Sequence, residues 1–195
     1  MSVMDFAENS NQFAGRQSPV LLVSVMINLQ PTLSGKLVQL RPLRDDEFEA
    51  LFEAASDRLI WEQHPSPLRY QREVFQKFFD EALACKGALA VIDAETGQVI
   101  GSSRYYAHNL ERSEIVIGYT FLARRYWGGK FNRELKTLML GHIFQFVDDV
   151  LFHVGSKNVR SQKAMEKMGA ELIESAGETW IYRIKKNASG AHKHG

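Results

Sequence analysis

The spacing of apolar positions changes period repeatedly along the chain. KLVQLRPL, Lys36 to Leu43, alternates and predicts a strand. DDEFEALFEAAS, 45–56, switches to helical spacing and places acids in the first turn, where they suit the helix dipole. RLIWEQHPSPLRY carries two prolines and reads as a loop. Helical spacing returns from Arg72 to Cys85. ALAVIDAETGQVIGSSRYY predicts two strands around a glycine-containing turn. SEIVIGYTFL, Ser113 to Leu122, is a further strand. Lys130 to Val147 predicts a long helix with Phe131, Leu135, Leu138, Met139, Ile143 and Phe146 on one side. VLFHV, Val150 to Val154, reads as a short buried strand, and Asn158 opens a helix that Gly169 stops. AELIE and ETWIYRI supply two last strands.

The resulting order is β-α-α-β-β-β-α-β-α-β-β, without internal repeats. A helix joins SEIVIGYTFL to VLFHV, so these strands should be parallel with a right-handed crossover. The hairpin and the final pair should be antiparallel. The expected class is α/β (α+β): one mixed sheet with helices on both faces. Residues 31–186 form the expected domain. Residues 1–30 read as an appended, mobile extension in which VLLVSVMI adds a strand or covers an apolar patch, and Met26 is an alternative start. The tail, 187–195, is expected to be disordered.

At 195 residues the chain is long enough for one domain with a real core. Its 45% hydrophobic and 24% charged content suit a globular protein. A net charge of +1 gives no general reason to expect nucleic acid or an anionic membrane as a partner. Cys85 is the one cysteine, which excludes an internal disulfide and a cysteine-based zinc site; it is expected as a core thiol. His142 and His153 lie on apolar elements and are expected to be packed. No His/Asp/Glu grouping has metal spacing, and no metal is expected. No run reaches the ~18 apolar residues of a membrane span, and the N-terminus makes a poor signal peptide, so a cytoplasmic location is expected.

Charge is concentrated locally. Arg124, Arg125, Lys130 and Arg133 fall within ten residues, opposed there only by Glu134. The segment joins a strand to a helix through Gly128 and Gly129, which sets free backbone N–H groups and a positive helix end beside basic side chains. Such an arrangement holds phosphates. A solvated strand-to-helix turn is the plainer alternative. It is neither a Walker A loop nor a GxGxxG fingerprint. RYWGGK fits a shorter pattern, Arg/Gln-x-x-Gly-x-Gly/Ala, with Arg125 and Gly128 in register. Downstream, NVRSQKAMEKMGA is an Asn-led helix ending in glycine. With IGY before the loop and Trp-Gly within it, these motifs resemble the GNAT superfamily of acyl-CoA-dependent N-acyltransferases. Within it they look most like the branch of ribosomal-protein N-terminal acetyltransferases. The likeness spans about Lys36 to Lys186.

The resemblance implies a sheet that is mostly antiparallel, with a central parallel pair that splays apart around the pantetheine arm of acetyl-CoA. Thr120, Phe121 and Leu122 would pair with that arm. Arg124, Arg125, Trp127, Gly128, Gly129, Lys130, Phe131 and Asn132 would surround the pyrophosphate, with Lys130 standing where the pattern has a small residue. Asn158 would cap its helix and bond the cofactor arm, and Ser161 would return a proton to the departing thiolate, since Met165 stands where relatives often have tyrosine. A plain N-cap would also explain Asn158 and Ser161. The branch commonly has an acid where this chain has Val116; Glu114, two residues earlier and on the same face, is either a base acting through water or an exposed strand-end acid. Tyr119 should face the other side. Trp61, His64 and Tyr105, with Tyr70 and Tyr106, are candidates for the acceptor pocket, and His64 and Glu62 are alternative bases. The implied reaction is direct acetyl transfer to an amine, either a peptide N-terminus or a small molecule, by a monomer or homodimer. The alternatives are a coenzyme-binding regulatory domain without turnover and a phosphate-binding domain for another nucleotide.

Overall fold

A computed structural model of the protein describes residues 27–186. The expectations for residues 1–26 and 187–195 lie outside the described residues. The elements are β1 (Leu33–Ser34), β2 (Val38–Pro42), α1 (Phe48–Ala55), α2 (Arg72–Ala84), β3 (Ala88–Asp93), β4 (Val99–Asn109), β5 (Glu114–Leu122), α3 (Lys130–Ile143), β6 (Asp149–Gly155), α4 (Val159–Lys167), β7 (Glu171–Glu174) and β8 (Thr179–Lys185). Single 3-10 turns precede α1 and follow β5, and another lies between α1 and α2.

The strands form one eight-stranded sheet in the order β1-β2-β3-β4-β5-β6-β8-β7. Every neighbouring pair is antiparallel except β5 and β6. That parallel pair is joined through α3, as the crossover pattern requires. Strand β1 was not expected, because two residues are too few to show a period. The long helix stops at Ile143 instead of Val147. Its last turn tightens there, with Gln145 N–H donating to His142 O and Phe146 N–H to Ile143 O.

Apolar residues divide into two layers. Phe75, Phe78 and Phe79 of α2 pack with Leu51 of α1, Trp61 and Phe121 on one face. Leu135, Met139 and Ile143 of α3 and Met165 of α4 pack with Ile115, Ile117 and Val150 on the other. Each fully buried Leu, Ile or Phe contributes on the order of 1.5–3 kcal/mol. Cys85 departs from expectation: it is exposed at the end of α2, its Sγ 3.1 Å from Ala82 O. His153 is likewise exposed, on the sheet face where Tyr106 lies. Tyr105 is fully buried, and its hydroxyl donates to Met139 O at 2.7 Å under α3.

Two features of β5 shape the centre of the molecule. Its pairing with β6 covers only Glu114, Ile115 and Val116, opposite Asp149, Val150 and Leu151. Beyond that point the two strands part. On its other edge, Ser102 pairs with Phe121 and Arg104 with Gly118, so Ser103 meets both Tyr119 and Thr120. This is a β-bulge, with Tyr119 at φ 52°. The bulge reverses alternation. Tyr119 therefore packs against Phe78 and Tyr106 on the α2 face, opposite to the side expected from simple parity. Thr120 turns toward α3.

Candidate active site

A cleft of about 400 Å³ opens where β5 and β6 diverge. Thr120, Phe121 and Leu122 line it from β5, Trp127, Gly128, Gly129 and Asn132 from the loop and start of α3, and Asn158 and Ser161 from α4. Trp61 and His64 close it from the α1–α2 loop. The structure thus gathers most of the residues that the two sequence motifs singled out.

The loop geometry follows from its glycines. Gly128 and Gly129 sit at φ 104° and 102°, where a side chain would strain the backbone, and a Cβ on either would meet nothing within 4 Å. Gly129 is the N-cap of α3 and offers no capping side chain. The first internal bond of the helix runs from Arg133 N–H to Gly129 O. The N–H groups of Lys130, Phe131 and Asn132 precede it and lack helical acceptors. The indole N–H of Trp127 donates to Leu122 O at 3.0 Å, which pins the loop to the end of β5. Open N–H groups at a helix start, beside open space, suit an anion.

Of the four basic side chains clustered at the turn, Arg133 lines the cleft and the other three do not. Arg124 bonds Asp57 at 2.6 Å and Arg125 bonds Gln98 Oε1 at 2.7 Å, so both turn away toward α1 and the β3–β4 turn. Lys130 is exposed and Phe131 packs on Tyr126; neither side chain lines the cleft. The cations at the cleft are Arg133, Arg160, Lys163 and Lys167. The last three recur along α4, three and four residues apart, which puts them on one helical side. That spacing was legible in NVRSQKAMEK and was overlooked beside the more conspicuous loop. Arg160 also bridges the cleft, with its guanidinium 3.9 Å from the Trp127 ring centroid and 3.1 Å from Glu62 Oε1.

On α4, Asn158 Oδ1 accepts the Ser161 N–H at 3.1 Å, as an N-cap does. Both side chains also line the cleft. Met165 is buried beneath the helix. Glu114 does not join them. It lies at the opposite end of β5, six residues from Thr120 and roughly 20 Å away along an extended strand, and its carboxylate is 3.5 Å from Arg112. Among the described residues no Asp or Glu lines the cleft. His64 is half-buried, not on the surface. Burial and the nearby Arg69 charge lower its pKa to about 4, and Nδ1 already accepts the Ser66 N–H at 2.9 Å. Nε2 lies 3.2 Å from Arg69 Nη1, so both ring nitrogens face donors and neither tautomer leaves an open lone pair for a base. Tyr105 faces the α3 core instead of the cleft. Tyr70 is partly buried against the α1–α2 cluster.

Under the cleft lies a group that sequence reading missed. Lys136 is buried, with Nζ 2.5 Å from Thr120 Oγ1 and 5.4 Å from the Phe152 ring centroid. Thr120 Oγ1 is in turn 2.7 Å from Ser103 Oγ. Burial lowers the Lys136 pKa to about 7. Its place three residues before Met139 and seven before Ile143 puts it on the buried stripe of α3, a signal that the helical spacing carried, and the bulge turns Thr120 toward it.

No group of three His, Cys, Asp or Glu among the described residues is placed to hold a metal ion. No helix among them is long and apolar enough to cross a membrane.

The family model for the GNAT acetyltransferase domain matches residues 38–171. No curated protein matches the sequence. Among solved structures, a GCN5-related N-acetyltransferase from Brucella melitensis superposes with a TM-score of 0.69 at 20% identity, covering 80% of this chain and 79% of that one. A Vibrio cholerae protein assigned as a ribosomal-protein-serine acetyltransferase gives 0.66 at 16% identity, covering 83% and 100%. The microcin C7 self-immunity acetyltransferase MccE, solved with acetyl-CoA and AMP, gives 0.67 at 10% identity, covering 82% and 99%. At these identities the structures speak for the fold. With the family model spanning more than half of the sequence, this chain belongs to the GNAT acetyltransferase family.

Proposed function

We propose that the protein transfers the acetyl group of acetyl-CoA to a primary amine by direct attack within a ternary complex. The observation that carries this reading is the cleft between the diverging strands. It has a glycine-rich helix start at one end and Asn158 and Ser161 toward the other. The open N–H groups of the loop and the cations of α4 suit the pyrophosphate. The β5 edge facing the gap suits the amide-rich pantetheine arm, as an added strand would. In the reaction the neutral amine attacks the thioester carbon and the C–S bond breaks; Ser161 supplies a proton to the thiolate and regains one, through solvent, from the nitrogen as the amide forms. With no carboxylate in the cleft and the His64 lone pair occupied, no side chain there is set to deprotonate the acceptor. The amine then enters already neutral. The rate at low acceptor concentration should rise about tenfold per pH unit below the pKa of the amine.

The same lack of a base favours a second reading, a coenzyme-binding domain without turnover. Calorimetric titration with acetyl-CoA, paired with thiol release against peptides, polyamines and amino acids, separates the two. Saturable binding with acetylated product supports transfer, and binding without product on any amine supports the second reading. Ser161→Ala should lower kcat at least tenfold and change the Kd of acetyl-CoA less than twofold; equal losses in both would make Ser161 a binding residue only.

A further inference from the structure

Beyond the Thr120 end of the cleft, two arginines lie buried without a direct ion pair. Arg69 is 9% exposed and Arg104 is 4% exposed. Their guanidinium carbons sit 4.6 and 4.9 Å from the Phe78 ring centroid and 5.8 and 4.0 Å from that of Tyr119. Among the described residues neither forms an ion pair; the arginines that do are Arg41, Arg44, Arg72, Arg112, Arg124, Arg160 and Arg183. Arg104 Nη2 has one weak acceptor, Phe78 O at 3.3 Å. Burial, reinforced by the charge of Arg104, lowers the Arg69 pKa to about 10, and burial also lowers that of Arg104. Guanidinium groups stay protonated at neutral pH.

Two buried like charges without a directly paired counter-ion are costly, and aromatic faces and the more distant Glu81 offset only part of that cost. The hydrogen bonds point to what completes them. Arg69 Nη1 lies 3.2 Å from His64 Nε2. The Ser66 N–H points at His64 Nδ1 at 2.9 Å. A neutral imidazole accepts at one nitrogen, so one of these two donors lacks a full acceptor on the ring. Among the described residues, the one enclosed side-chain nitrogen or oxygen without a partner is Arg183 Nε. The remaining N–H groups of Arg69 and Arg104 are therefore not fully sealed from their surroundings. His64 and Trp61, which touch this cluster, also line the cleft. An oxyanion would satisfy the open arginine N–H groups and neutralise the pair, and the planar fork of arginine suits a carboxylate or phosphate.

We infer that Arg69, Arg104 and His64 form an anion subsite beside the cleft, and that the acceptor is a small amine carrying a carboxylate or phosphate group. The inference rests on the acetyl-transfer reading for the amine, while the subsite itself does not. The acceptor's negative group docks on the arginine pair, which holds its amine toward the thioester at the Thr120 and Ser161 end.

The test uses the full chain saturated with coenzyme A. Calorimetric titrations compare amino acids with their carboxamides, and ω-aminoalkyl phosphates with the matching amino alcohols. Expected is at least tenfold tighter binding of one anionic member over its uncharged partner, the favoured pair distinguishing carboxylate from phosphate. Arg104→Gln and the more conservative Arg104→Lys, each checked for an intact thermal transition, should reduce that preference to below threefold while the Kd of acetyl-CoA stays within twofold. Equal binding of charged and uncharged partners in both series would overturn the subsite. Thiol release with the same ligands keeps the two proposals apart. Preferential anion binding without product refutes acetyl transfer and keeps the subsite, and turnover indifferent to the anion does the reverse.

Discussion

At the scale of single residues, Lys136 shows how burial changes chemistry without a change of residue type. Its amine has one hydroxyl partner, Thr120, and no carboxylate among the described residues. The unfolded chain titrates it near 10.5, and the folded protein near about 7. Between those values the unfolded state binds the proton and the folded state does not. Stability should therefore rise with pH across that window, by at most about 1.4 kcal/mol per unit, and the term should be flat below it. Urea unfolding at pH 7 and pH 9 should show a gain of about 2 kcal/mol for the native chain over Lys136→Met. Parallel changes in the two proteins would show that Lys136 stays charged when folded. At this scale the sequence was legible where a motif fixes the backbone, as at Gly128, Gly129, Asn158 and Ser161. It was not legible where a side chain chooses its direction. Arg124 and Arg125 looked like phosphate ligands by position, but Asp57 and Gln98, distant in sequence, hold them elsewhere.

Among elements, the link between α3 and the sheet edge is the one that periodicity could not show. The Glu134 carboxylate accepts the N–H groups of Lys36, Leu37 and Val38 at 3.0, 2.6 and 2.8 Å. Read in sequence, Glu134 was only the acid opposing a basic loop. In the fold it ties the helix that follows the loop to the β1–β2 turn. Burial acts to raise its pKa, but the backbone donors of Leu37, Val38 and Lys36 outweigh that and hold it below the ordinary carboxylate value. The tie is present above the unfolded pKa and is lost as pH falls through the lower folded value. Glu134→Ala should lower stability by about 1–3 kcal/mol near neutrality, and the deficit should shrink in acid. A chemical-denaturation series checks both; a deficit independent of pH would assign the loss to packing. The succession of elements along the chain and the helix faces followed from apolar spacing. The bulge at Tyr119 did not, because one extra residue in a ladder leaves no periodic trace yet reverses every side chain after it.

For the whole molecule, the sheet supplies both halves of the candidate site. Parting of β5 from β6 opens the cleft, and the helices on either face fill it with different chemistry. Helices α3 and α4 bring N–H groups and cations, while α2 and the loop before it bring aromatic rings and Arg69, which meets Arg104 of β4. The class, the parallel pair and the two motif-bearing helices were readable because each rests on local pattern. The acceptor side was not, because Arg69, Arg104, His64 and Tyr119 meet only through tertiary packing. The central claim is that one cleft holds acetyl-CoA and an amine together. Initial rates of thiol release over a grid of acetyl-CoA and amine concentrations test it most directly. The expected result is intersecting double-reciprocal lines, with no thiol released before amine is added. Parallel lines, with a burst of thiol and an acetylated protein in the absence of amine, would contradict it.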